Sequence, residues 1–97
     1  MFELSWTGSA RAEYQALKRD ASRKKQYRAV RKALRLLADN PRHRSLQTHE
    51  FTSLKGPHGE KVFEAYAEQH TPGAYRVFWF YGPSKGAITV FTIAPHP

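Results

Sequence analysis

Apolar residues recur with helical spacing in the first half of this chain of 97 residues and with strand spacing in the second half. Residues 2–6 alternate between apolar and polar and predict a short strand. A first helix is expected over about residues 10–20 and a second from about Ser22 to Asn40, because Pro41 disfavours helical geometry in the residue before it. The second helix is better defined, since its apolar stripe repeats at i, i+3, i+7 and i+10: Tyr27, Val30, Leu34 and Leu37.

Three segments rich in β-branched and aromatic residues follow, at residues 61–69, 75–81 and 87–94. Short links that contain glycine separate them, so we expect antiparallel hairpins. The middle segment is apolar or aromatic on both faces except for Arg76, which is typical of a central strand. Residues 41–59 are largely polar and predict a connector between the helices and the sheet.

The order strand, helix, helix, strand, strand, strand predicts an α+β fold. Two N-terminal helices would pack on one face of a mainly antiparallel four-stranded sheet, within a single domain of residues 1–97. Arg76 shares its strand face with Phe78 and Phe80. We expect the other face of that strand to pack on the helices, with the residues Tyr75, Val77, Trp79 and Tyr81.

Positive charge is concentrated on the second helix. Residues 18–35 hold nine of the sixteen Lys and Arg residues against one acid, so this segment carries the whole formal charge of +8. A surface of one sign indicates a polyanionic partner, with nucleic acid the first candidate. The residues predicted to bind nucleic acid are Lys24, Lys25, Arg28, Arg31, Lys32 and Arg35 on the helix, and Lys55 and His58 in the connector.

Composition excludes several other classes of site. Cysteine is absent, which excludes disulfides and cysteine ligands for zinc. The histidines form no helical i, i+4 pair, so neither a metal site nor a cofactor is expected. The N-terminus lacks a signal-peptide pattern and no run of eighteen apolar residues occurs, which predicts a cytoplasmic protein that does not cross a membrane.

Several residues stand at informative places in this order of elements: Trp6 and Ala10 near the start, Asn40-Pro41 after helix two, Leu54-x-Gly56 before the sheet, Tyr75-Arg76-Val77 in the central strand and His96 after the last. Together they make the chain resemble the RelE/ParE toxin superfamily over almost its whole length. The resemblance implies a small basic toxin of a toxin-antitoxin pair. RelE-like members enter the ribosomal A site and cut mRNA, whereas ParE-like members inhibit DNA gyrase.

The resemblance also implies roles for single residues. Arg76 matches an arginine that contacts the scissile phosphate in the ribonuclease branch, and His96 matches a position that holds a catalytic Arg or His. RelE itself has paired lysines where this chain has Glu64 and Tyr66. Pro97 stands where those nucleases usually place a functional Tyr.

Cleavage of RNA without a metal requires a base for the 2′-hydroxyl proton, a cation beside the phosphorane and an acid for the departing 5′-oxygen. Arg76, His96, Glu64 and Tyr66 are therefore the candidate catalytic residues, with His96 in acid–base work and Arg76 on the phosphate. This mechanism requires Arg76 and His96 to face one cleft. It also requires a guanidinium that is not held by an internal carboxylate.

The leading hypothesis is a RelE-like, metal-independent endoribonuclease that cuts ribosome-bound mRNA. Its expected partners are a cognate antitoxin, mRNA and ribosomal RNA. Two alternatives remain open from the sequence. One is a ParE-like gyrase inhibitor without nuclease activity, and the other is a non-catalytic nucleic-acid-binding module on the same fold.

Overall fold

Two helices follow a short first strand in the computed structural model, which describes residues 1–96. Pro97, the residue that replaces the functional Tyr of the resemblance, lies outside the described part. Within that part, no helix is long and apolar enough to cross a membrane. The elements are β1 (Glu3–Trp6), α1 (Gly8–Arg19), a 3-10 turn (Ala21–Arg23), α2 (Lys24–Asp39), a second 3-10 turn (Arg44–Leu46), β2 (His49–Lys55), β3 (Lys61–Tyr66), β4 (Tyr75–Tyr81) and β5 (Ala87–Pro95).

The strands form one sheet in the order β1-β5-β4-β3-β2, in which β1 runs parallel to β5 and the other neighbours are antiparallel. The predicted α+β class is confirmed, but the sheet has five strands rather than four. The additional strand is β2, which lies inside the segment predicted to be a connector. Its polar composition fits an edge strand, and an irregularity between Glu50 and Lys55 breaks the alternation that would have revealed it.

The core lies between the helices and one face of the sheet. Val30, Leu34 and Leu37 of α2 are buried against Val77 and Trp79 of β4, as the two apolar patterns predicted. Helical spacing puts Leu36 on the basic side of α2, yet it is half-buried and packs against the same core. Arg76 therefore lies on the opposite face of the sheet, away from the helices.

Thr7 ties the start of α1 to the sheet. Its hydroxyl accepts a hydrogen bond from the Ala10 backbone N–H at 3.0 Å, which caps the helix, and donates to the Phe91 carbonyl at 2.7 Å. The two helices meet through the rings of Tyr14 and Tyr27, whose centroids are 5.5 Å apart. Burial and the hydrogen bond with Tyr27 raise the pKa of Tyr14 to about 12.

Glu13 stabilises an irregular part of β5. The pairing with β4 shifts register beside Phe91, and the Glu13 carboxylate accepts hydrogen bonds from the Ile93 N–H at 2.9 Å and from the Thr92 hydroxyl. We expect Glu13→Ala to lower the free energy of unfolding by about 1.5 to 3 kcal/mol, measured by urea denaturation. Glu13→Gln keeps one acceptor and should lose less. An alanine variant as stable as the wild type would contradict this role.

Candidate active site

The four predicted catalytic residues lie together on the sheet face opposite the helices. Tyr66 of β3 pairs directly with Arg76 of β4, and Arg76 pairs with Ala94 of β5, two residues before His96. Glu64 precedes Tyr66 by two residues and therefore shares its face. Alternation along each strand places the four side chains on one face, and the pairing of the strands brings them to the same end of the sheet.

Glu64 is the centre of this group and is 1% exposed. Its Oε2 lies 3.0 Å from His96 Nδ1 and 3.4 Å from Arg76 Nε. Its Oε1 lies 2.8 Å from Nε2 of His49, a residue that the sequence analysis did not select. A buried carboxylate requires such partners, because its desolvation is otherwise too costly. These five residues, Glu64, His49, Tyr66, Arg76 and His96, are called the Glu64 cluster below.

Arg76 is 6% exposed and is held by the protein on several sides. Its Nη1 donates to the backbone carbonyls of Glu68 and Tyr75, and its Nε faces Glu64. Its Cζ lies 3.8 Å from the centroid of the Tyr66 ring, in a cation–π contact. Two of the three guanidinium nitrogens therefore face internal acceptors. The guanidinium is thus held by an internal carboxylate, contrary to what direct phosphate binding requires, and this geometry favours a positioning and electrostatic role for Arg76 over the expected contact with phosphate.

His96 presents one ring nitrogen outward. Its backbone N–H donates to the Ala74 carbonyl at 2.7 Å, which fixes the chain just beyond β5. The side chain is 47% exposed, and Nδ1 faces the Glu64 carboxylate. A carboxylate beside Nδ1 favours the tautomer in which Nδ1–H donates, so Nε2 is left as the base. Glu64 and His96 thus form a carboxylate–imidazole pair suited to proton transfer.

His49 has both ring nitrogens against acceptors. Nδ1 lies 2.8 Å from the Gln47 carbonyl and Nε2 lies 2.8 Å from Glu64 Oε1. These two contacts fix the orientation of the His49 ring. His49 pairs directly with Glu64 across β2 and β3, a signal visible only once β2 is recognised as a strand.

The structure does not bring Lys55 and His58 to the cluster. Both lie at the turn between β2 and β3, and at about 3.3 Å per residue Lys55 is roughly 20 Å from His49. Lys55 Nζ lies 4.0 Å from Glu50, and His58 Nδ1 lies 3.6 Å from Glu60. Backbone hydrogen bonds from Glu60 itself and from His58 hold the pKa of the Glu60 carboxyl below its ordinary value, so His58 faces a carboxylate at neutral pH.

The cations of α2 form an exposed face. Among residues 1–96, the observed ion pairs include none of them. A face of unpaired cations retains its full attraction for an anionic partner. The exposed residues are Lys24, Lys25, Arg28, Arg31, Lys32 and Arg35.

Clefts on the surface of residues 1–96 include two beside the helices. The larger, about 250 Å³, lies between α1 and the ends of β4 and β5 and includes no residue of the Glu64 cluster. The smaller, about 210 Å³, lies between α2 and the end of β3. Its lining includes Lys32, Ala33, Leu36, Ser45, Tyr66 and Gln69. Within the described part of the chain, no group of three His, Asp or Glu side chains is arranged to hold a metal ion.

Comparison with known proteins gives a match in structure only. The sequence matches no protein-family model and no curated protein. A YoeB/ParE toxin from Agrobacterium tumefaciens is similar over 99% of this chain and 100% of its own, with a TM-score of 0.70 and 17% identity. The YoeB dimer from Staphylococcus aureus is similar over 99% of this chain and 98% of its own, with a TM-score of 0.65 and 12% identity. A chain of the archaeal RelE-RelB complex from Pyrococcus horikoshii OT3 is similar over 97% of this chain and 93% of its own, with a TM-score of 0.63 and 17% identity. The chain therefore has the fold of the RelE/ParE toxin superfamily.

Proposed function

We propose that this protein is the toxin of a type II toxin-antitoxin pair and cuts RNA without a metal ion. The observation that carries the proposal is the pair formed by buried Glu64 and half-exposed His96, with Nδ1 and Oε2 3.0 Å apart. A fixed imidazole with one free nitrogen is the group that transfer of a 2′-hydroxyl proton requires. The structural likeness to YoeB and RelE toxins supports the same assignment.

In the proposed reaction, His96 Nε2 takes the proton of the 2′-hydroxyl next to the scissile phosphate. The 2′-oxygen attacks phosphorus, the bond to the 5′-oxygen breaks, and a 2′,3′-cyclic phosphate forms. We assign protonation of the departing 5′-oxygen to the Tyr66 hydroxyl, because Tyr66 shares its strand face with Glu64 and pairs with Arg76. Glu64 keeps the imidazole of His96 oriented and stabilises the imidazolium that forms.

The Glu64 cluster holds one fixed cation, Arg76, that can serve the transition state. The guanidinium of Arg76 is permanently charged and lies beside the buried carboxylate of Glu64. The pentacoordinate phosphorane carries an additional negative charge, so a fixed cationic group beneath it lowers the barrier. Arg76 acts through this field and through its hold on Glu64 and Tyr66.

The proposed substrate is mRNA on the ribosome. The exposed cations of α2 would contact ribosomal RNA, since phosphate contacts add affinity without reading sequence. Translating ribosomes place the site of action in the cytoplasm. The same basic face would attract an acidic antitoxin segment, and one of the structural neighbours is a complex of RelE with RelB.

The test is primer extension on mRNA after addition of the protein to a translation extract, in parallel with the same RNA free of ribosomes. The proposal predicts discrete cuts in the ribosome-bound RNA that persist with EDTA at levels below those that dissociate ribosomes. A DNA gyrase supercoiling assay is run beside it. Inhibited supercoiling with intact mRNA would overturn the proposal in favour of a ParE-like inhibitor. If the protein neither cuts mRNA nor inhibits supercoiling, the remaining candidate function is a nucleic-acid-binding module.

A further inference from the structure

Tyr81 is exposed at the end of β4, although alternation along the strand places it on the same face as Trp79, the side of the helices. It is 41% exposed, and among residues 1–96 the only other exposed large hydrophobic side chain is that of Met1. The Tyr81 ring is nevertheless held in place. Its centroid lies 4.9 Å from that of Trp79 and 5.7 Å from that of Phe63, both with edge-to-face geometry. A ring held in this way loses little conformational entropy when a ligand stacks on it.

Two lysines lie beside this ring on the same face of the sheet. Lys55 of β2 and Lys61 of β3 are direct cross-strand partners. Extending the register of β3 with β4 by two residues beyond Phe63 places Lys61 opposite Tyr81. The end of the sheet therefore carries a row of two exposed ammonium groups and one exposed aromatic ring.

The protein itself neutralises little of this positive charge. Lys55 Nζ lies 4.0 Å from the Glu50 carboxylate, and the ion pairs within the described part of the chain include none of Lys61. Like charges directly opposite each other on two strands lower stability, and a bound phosphate group would remove that repulsion. Arg42 adds a third cation, with its Cζ 5.5 Å from the centroid of the Phe63 ring. The Tyr81 patch below comprises Arg42, Lys55, Lys61, Phe63 and Tyr81.

The combination of an aromatic ring with cations matches single-stranded nucleic acid better than a protein partner. An aromatic ring stacks on any base, and cations beside it bind the phosphates of the same strand. A stable protein interface buries about 800 Å² on each partner around an apolar centre. Tyr81 alone offers too little apolar surface for such a centre, and the lysines next to it would have to lose their hydration.

We propose that the Tyr81 patch binds single-stranded RNA, with one base stacked on Tyr81 and the neighbouring phosphates on Lys55 and Lys61. Along β4 the patch is five residues from Arg76, or about 17 Å, and it lies on the other face of the sheet. RNA bound there is therefore separate from the Glu64 cluster and anchors the protein without taking part in cleavage. That this RNA is ribosomal rests on the proposed function, whereas binding of single-stranded RNA does not.

The test is binding of fluorescein-labelled 2′-O-methyl hexaadenylate to the full chain, measured by fluorescence anisotropy. Methylation of the 2′-oxygen prevents cleavage, so binding alone is measured. Tyr81→Leu keeps an apolar side chain but removes the ring, and should weaken binding at least about fivefold, the lower end of the contribution of one stacked base. Tyr81→Trp keeps a ring and should bind within about twofold of the wild type. Circular dichroism of both variants checks that they fold.

Lys61→Gln tests the phosphate contacts. It should reduce the slope of log K against log salt by about 0.7, the effect of one lost phosphate contact to a single strand. The control is Lys18→Gln, which removes an exposed cation on α1 and should leave the slope unchanged. In the NMR spectrum of the ¹⁵N-labelled protein, the backbone amide signals of Lys61 and Tyr81 should shift when the same RNA is added.

Wild-type affinity of Tyr81→Leu, equal losses in Tyr81→Leu and Tyr81→Trp, or NMR shifts confined to α2 would overturn the proposed RNA site. A dimer that depends on Tyr81 in sedimentation velocity would also overturn it, because the patch would then be a subunit interface. The result is separable from that of the primer-extension experiment. RNA binding at the patch by a protein that cuts no mRNA would sink the proposed function and keep the patch. Cleavage of mRNA without RNA binding at the patch would do the reverse.

Discussion

Glu64→Gln is expected to lower the free energy of unfolding by about 3 to 5 kcal/mol. Glu64 is 1% exposed and Arg76 is 6% exposed, with Oε2 and Nε 3.4 Å apart. An amide in place of the carboxylate leaves the guanidinium desolvated without a counter-charge, and His49 loses its anionic partner as well. Urea unfolding followed by circular dichroism measures the change by linear extrapolation.

A matched control is Glu50→Gln, which neutralises an exposed carboxylate on β2 next to His49. That variant should remain within about 0.5 kcal/mol of the wild type. The double variant Glu64→Gln with Arg76→Met removes both charges and should lose less stability than the sum of the two single variants. Additive losses, or a loss below about 1 kcal/mol for Glu64→Gln, would contradict a buried ion pair at the centre of the site.

Most of the architecture could be predicted from the sequence, because the spacing of apolar residues follows the helix or strand period clearly where burial is greatest. The stripe of α2 and the double-sided apolar character of β4 predicted which faces meet, and both predictions are confirmed except at Tyr81, which was expected to pack on the helices and is 41% exposed. The strand His49–Lys55 was not predicted, because an edge strand buries little of its surface and therefore needs few apolar residues. Phe51 and Leu54, its half-buried residues, are three positions apart, since the register irregularity interrupts the period of two.

The failure to predict β2 had the largest consequence for the predicted site, because it left out His49. Alternation along β3 placed Glu64 and Tyr66 on one face from the sequence alone, whereas their sharing a face with Arg76 depends on the register of β3 with β4. His49 reaches the same face only through pairing of β2 with β3. The burial of Arg76 was equally invisible, because it depends on the Tyr66 ring and the Glu68 carbonyl, which close around the guanidinium in three dimensions.

His96→Ala is expected to lower the rate constant of RNA cleavage by about 10²- to 10⁴-fold, the usual contribution of one acid–base group. The fold should be retained, because the His96 side chain is 47% exposed and Glu64 keeps its contacts with His49 and Arg76. Single-turnover cleavage of mRNA on ribosomes measures the rate, and thermal unfolding of the same samples measures the fold. His70→Asn is the control, since His70 is exposed, lies between β3 and β4, and has a positive φ that Asn tolerates.

Free imidazole separates proton transfer from a structural role for His96. The alanine variant leaves space beside Glu64 where the ring had been, so added imidazole should restore part of the cleavage rate in His96→Ala while leaving the wild-type rate unchanged. A side chain that only stabilised the end of β5 would not be replaced by a small base in solution. A His96→Ala variant that cuts at the wild-type rate, or whose rate imidazole does not raise, would show that proton transfer occurs elsewhere.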